Sequence, residues 1–147
     1  MKGLPNSFLI KHDDNHAEHI GRMKDGRQFF LTKPFVPAAG NEPGCEFIAL
    51  FAFDREGKLV NAQIDRLGPR GSFDIDYARE LYQKRLAALG NISFCDIRIA
   101  PFETEQYGVI FGFIPNEVED EEDVPCIEFR PGNYMAFYEP WNGEYDT

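Results

Sequence analysis

Cys45-Glu46-Phe47-Ile48-Ala49-Leu50-Phe51-Ala52-Phe53, then Asp54-Arg55-Glu56-Gly57, then Lys58-Leu59-Val60-Asn61-Ala62-Gln63-Ile64-Asp65, is the stretch that decides the fold class. After Glu46 the first run carries no polar side chain, so an extended chain would be apolar on both faces. That is the pattern of a central strand covered on each side. Asp54 to Gly57 supplies turn residues, Gly57 among them, and the second run alternates imperfectly between apolar and polar. Together they read as a hairpin.

Working back toward residue 1, the segments 19–23 and Gln28-Phe29-Phe30-Leu31-Thr32 flank Lys24-Asp25-Gly26-Arg27. The Asp-Gly pair signals a second hairpin, because glycine accepts the positive φ of a tight turn. Pro34 and Pro37 stop that strand or hold it to an edge, since proline donates no ladder hydrogen bond. Phe8-Leu9-Ile10 reads as a short opening strand.

Working forward, Gly68-Pro69-Arg70-Gly71 breaks the strand pattern, and a helix is expected over 75–89. Ala78, Leu81, Tyr82, Leu86 and Leu89 fall on one stripe at helical spacing. Asp74 is placed to cap it, Asp76 lies in the first turn, and Lys84, Arg85 and Gly90 mark its end. Strands are then expected at 93–100 and 108–114, joined by a polar turn over 103–107. An acidic loop follows at 117–123, and a third hairpin pairs 126–129 with 134–138 around Pro131-Gly132-Asn133. Short connections and one helix imply an α+β domain spanning 1–147. Its expected form is a mostly antiparallel sheet of about eight strands with the helix packed on one face.

Composition bounds the partners. The 147 residues carry a net charge of −10, with 43% hydrophobic residues and 14 phenylalanines. Nucleic acid and membrane surfaces are themselves anionic and are bound through clustered Lys and Arg, which this chain spreads thinly. A basic protein partner fits the charge. The run at 47–53 is too short for the roughly 20 residues of a spanning helix. The opening residues show no leader pattern. Cys45, Cys95 and Cys126 form no CxxC and read as buried, reduced thiols of a cytoplasmic protein.

Several residue groups are candidate sites. His12, His16 and His19 lie within eight residues of each other, beside Asp13, Asp14 and Glu18. Imidazole and carboxylate are ligands for zinc or another divalent metal. Positions 12, 16 and 19 share a face on a helix, whereas on a strand His19 points away from the other two. The spacing matches no standard zinc motif. Glu117, Glu119, Asp120, Glu121, Glu122 and Asp123 crowd one loop without the EF-hand ligand pattern, and could present to a basic partner. Gly68-Pro69-Arg70-Gly71-Ser72 could offer backbone N–H groups to an anion. It lacks a Walker A motif, and Asp74 and Asp76 would repel phosphate there, so it reads as a strand-to-helix turn. Trp141, the single tryptophan, lies in a terminal segment that either forms a binding platform or fastens the chain end to the core. Neither GxSxG nor GxGxxG is present.

Four stretches carry a resemblance: His19-Ile20-Gly21 with Asp25-Gly26-Arg27-Gln28-Phe29-Phe30; Phe53-Asp54-Arg55-Glu56-Gly57-Lys58-Leu59; Pro101-Phe102; and Pro140-Trp141-Asn142-Gly143-Glu144-Tyr145-Asp146-Thr147. They resemble a group of small bacterial proteins that commonly finish in Pro-Trp-Asp-Gly-x-Tyr-Asp-Thr. Some of these carry the automatic label formate hydrogenlyase regulatory protein. Asn142 departs from the usual Asp. The resemblance implies a bacterial origin and a terminal segment that belongs to the fold. It carries over no activity, ligand or catalytic residue.

Three readings of function follow. The first is a non-enzymatic acidic module, regulatory or inhibitory, that binds a basic protein and needs no cofactor. The second is a metal-binding protein or metal-dependent hydrolase built on His12, His16 and His19. The third is a small-ligand pocket between sheet and helix.

Overall fold

The computed structural model describes residues 4–116 and 124–147. Among these, the elements run β1 (Phe8–Ile10), β2 (Ile20–Met23), β3 (Gln28–Thr32), β4 (Phe35–Val36), β5 (Cys45–Phe53), β6 (Leu59–Gly68), α1 (Ile75–Ala87), β7 (Ile92–Phe94), β8 (Ile97–Ile99), β9 (Phe102–Gln106), β10 (Val109–Asn116), β11 (Cys126–Arg130) and β12 (Ala136–Tyr138). All the strand pairings are antiparallel. The α+β, mostly antiparallel character expected from the sequence holds. The single eight-stranded sheet does not: among the described residues twelve strands form three sheets, of six, four and two strands.

β5 is the pivot. One of its edges pairs with β3 and, further along, with β4; the other pairs with β6 from Glu46 to Phe53. Its side chains alternate between two cores, as its double-faced apolar pattern requires. Phe47, Ala49, Phe51 and Phe53 face inward, toward Phe111, Phe113, Phe129 and Phe137 of the four-stranded sheet, with Phe8, Ile10, Ile97 and Ile99 of the β1–β8 pair. Ile48 and Leu50 face outward with Phe29 and Leu31, where Leu81, Tyr82, Leu86 and Leu89 of the helical segment cover them. Helix, six-stranded sheet and four-stranded sheet therefore stack in layers around two apolar seams.

The extra strands come from segments whose polarity hides their pairing. The 93–100 stretch is not one strand. It divides at Cys95-Asp96, where the Asp96 carboxylate accepts from the His12 N–H at 2.8 Å, so β7 joins β2 and β8 joins β1. The 103–107 stretch is not a turn. It is mostly β9, whose Glu103 and Glu105 face solvent while Phe102 packs inward, as on any sheet with one wet face. The true turn is Tyr107-Gly108, both at positive φ. Opposite β9, a Cβ on Gly112 would lie 2.0 Å from the Phe102 carbonyl oxygen, so only glycine lets the two strands close here.

Two side chains stand in for missing ladders. Gln28, 1% exposed, donates from Nε2 to the Arg98 carbonyl and accepts at Oε1 from the Arg98 N–H, both at 2.9 Å. It thereby fastens β3 to β8 across two sheets. Gln106 and Tyr107 donate to the Ala62 and Ile64 carbonyls and cover part of the free edge of β6.

The chain end is sewn into the fold. Ala136 and Asp146 exchange both backbone hydrogen bonds at 2.9 Å, the Gly143 carbonyl accepts from Lys11 N–H, and the Tyr145 hydroxyl donates to Asp13 at 2.6 Å. No helix among the described residues is long and apolar enough to cross a membrane.

Candidate functional site

α1 forms where its signals place it. Asp74 accepts from the Tyr77 N–H at 3.0 Å as N-cap, Asp76 lies in the first turn, and Lys84 and Arg85 lie in the last. Arg85 clamps the helix to β6 through a bidentate pair with Asp65, both contacts at 2.9 Å. Leu81, Tyr82 and Leu86 pack on the sheet from the second half of the helix. The first half instead forms one wall of a cleft of about 850 Å³, lined there by Ile75, Ala78 and Arg79, with Phe73 just before the helix. Leu31, Ile48 and Leu67 line it from the sheet. Lys33 and Phe35 contribute from the β3–β4 segment, Glu46 from the start of β5 and Arg70 from the turn after β6, and Asn15, His16, Glu18, His19 and Tyr134 complete the rim.

The polar groups in the cleft are linked. His19 Nδ1 is hydrogen-bonded to the Tyr82 hydroxyl, and its Nε2 lies 3.4 Å from Glu18 Oε1. Burial holds the His19 imidazole below its ordinary pKa; Glu18 opposes that shift, while Lys33 and His12 add to it. Burial, with Glu18 beside it, pushes the Tyr82 phenol well above its ordinary value. Burial likewise raises Tyr134, although its 2.6 Å hydrogen bond with Thr32 works the other way. The His16 ring sits 4.6 Å from that of Tyr134. Lys33 Nζ lies 5.5 Å over the Tyr82 ring, and Arg70 lies 4.3 Å over Phe35 while its Nε donates to Glu46 at 3.0 Å.

The structure brings only part of the expected histidine cluster to the cleft. His16 and His19 reach the cleft; His12 does not. The His12 ring stacks on Phe94 and bonds the Glu18 carbonyl at 2.9 Å. Among the described residues, no three His, Cys, Asp or Glu side chains gather in a group that could hold a metal ion. Trp141 is half-buried against the inner core, with its backbone N–H on the Tyr138 carbonyl. Glu117, Glu119, Asp120, Glu121, Glu122 and Asp123 lie outside the described residues. A second, shallower groove of about 420 Å³ runs beside the terminal segment and exposes Glu139, Glu144 and Asp146 along with Tyr138 and Tyr145.

Lys33, Arg70, Tyr82 and Tyr134 were not singled out together by sequence reasoning. The loop signal at Gly68-Pro69-Arg70-Gly71, the helical stripe through Tyr82 and the histidine cluster, through His16, Glu18 and His19, each pointed at part of the site. Comparison with protein-family models, curated proteins and solved structures found no match for this chain.

Proposed function

We propose that this chain is a binding module with a regulatory role, whose ligand site is the cleft between α1 and the six-stranded sheet. One observation carries this: the cleft combines accessible apolar lining at Leu67, Phe73 and Ile75 with a few convergent polar groups, within the size range of small-molecule sites. A ligand seated there would bridge helix and sheet, so its binding could be passed on through the position of α1. The test is a screen of small organic compounds by amide-resolved NMR, repeated on Ala78→Trp, whose indole would fill the cleft. Hits should shift the amides of Leu31, Ile48, Leu67 and Ala78, and Ala78→Trp should weaken them by about tenfold or more while melting like the parent. Hits that map elsewhere, or that survive in the variant, would remove the cleft from consideration.

The terminal groove supports a second reading, docking of a basic protein. Among the described residues its walls present Glu139, Glu144 and Asp146 and no lining cation, with Lys11 Nζ 4.0 Å from Glu144, in a chain of net charge −10. Pentalysine serves as the probe. Binding should fall steeply as salt rises and drop several-fold in the double variant Glu139→Gln, Glu144→Gln. Salt-insensitive binding, or binding indifferent to both substitutions, would exclude the groove.

A further inference from the structure

We infer that the ligand of the helix–sheet cleft is a small organic anion with an apolar body, an inference that rests on the cleft being a binding site. The sign of the charge is the first argument. The chain as a whole has 25 acidic and 15 basic residues, a balance of −10. The cleft reverses that balance: Lys33, Arg70 and Arg79 line it against Glu18 and Glu46, three cations to two carboxylates, or +1 with both imidazoles neutral. Arg70 already engages Glu46, whereas Lys33 and Arg79 form no ion pair among the described residues. Lys33 and Arg79 are solvent-exposed lining residues, so an anion reaching them is attracted locally although the protein as a whole repels it.

The lining supplies the second argument. An inorganic anion would satisfy Lys33 but leave the partly exposed Leu67 and Phe73 and the exposed Ile75 wet. A neutral apolar molecule would cover those three and strip water from the Lys33 ammonium without replacing it. An amphipathic anion does both. Its head meets Lys33 at the mouth, where the ammonium already lies over the Tyr82 ring, and its body lies on the sheet beneath Ala78.

The test uses two probes with one body: 1-anilinonaphthalene-8-sulfonate, and N-phenyl-1-naphthylamine, which lacks only the sulfonate. Fluorescence titrations on the natively folded chain should show the sulfonate binding about tenfold tighter than its neutral twin at low salt. Lys33→Gln should cost the sulfonate about fivefold or more and leave the twin unchanged, and Ala78→Trp should weaken both. If the twin binds equally well and Lys33→Gln changes nothing, the cleft takes apolar molecules and the anion inference falls alone. If neither probe binds, or Ala78→Trp affects neither, the cleft reading fails and takes this inference with it.

Discussion

Replacing Phe113 with alanine is expected to destabilise the fold by about 3–5 kcal/mol, a large part of the roughly 5–15 kcal/mol that holds an average domain together. Phe113 on β10 is fully buried where all three sheets meet. Its ring lies 4.9 Å from Phe129, 5.3 Å from Phe8, 5.6 Å from Phe30, 5.9 Å from Phe137 and 6.0 Å from Phe102, all five edge-on or tilted. Neighbours held by three separate sheets cannot collapse into the space that alanine leaves, so the cavity remains. Phe94→Ala is the comparison: that ring is 48% exposed and should cost about 1 kcal/mol or less. Denaturant melts of both variants decide the matter. A loss below about 1 kcal/mol for Phe113→Ala would mean that the inner seam is not the main source of stability.

Raising the pH through the tyrosine range should unfold the protein in one cooperative step. Burial holds Tyr134 and Tyr82 above their ordinary pKa, and burial with the Asp13 hydrogen bond pushes Tyr145 up to about 12. A phenol that ionises near 10 when unfolded but later when folded binds more protons in the native state across that interval. Its contribution to stability is complete below pH 10 and is lost as pH climbs toward the folded value, by up to about 1.4 kcal/mol per pH unit for each such group. Tyr134, almost fully buried, carries the largest share; Tyr82 and Tyr145, partly exposed, carry less. Over pH 10 to about 12 the loss reaches several kcal/mol, comparable with the whole stability. Phenolate absorbance and far-ultraviolet circular dichroism should therefore move together above pH 10. Tyr145→Phe should make that transition less steep. Gradual ionisation of all six tyrosines with the backbone signal intact would contradict this account.

The sequence was most legible where local chemistry and burial agree. The apolar run Cys45–Phe53, the turns at Gly26 and Gly57, and the Asp74 cap of α1 each depend on neighbours within a few residues. β9 and the break between β7 and β8 were not legible. The carboxylates of Glu103 and Glu105 look like loop chemistry until a partner strand is present, and Asp96 turns the chain only because His12, 84 residues away, supplies an N–H.

The candidate site divides in the same way. The sequence by itself determined that the helix would bury a stripe through Leu81, Tyr82 and Leu86 and that a pocket between sheet and helix was worth considering. It also determined the surplus of acidic residues. Only the tertiary structure decided which side chains meet in that pocket. Lys33, Arg70, Tyr82 and Tyr134 come from the β3–β4 connection, the turn after β6, α1 and the β11–β12 connection. It also kept His12 off the cleft that His16 and His19 line, with the Phe94 ring packed against both His12 and His19. The physical reason is range. Turn, cap and periodicity preferences act over one to four residues, whereas the meeting of residues 33, 70, 82 and 134 depends on strand pairing and sheet packing, which no local pattern encodes.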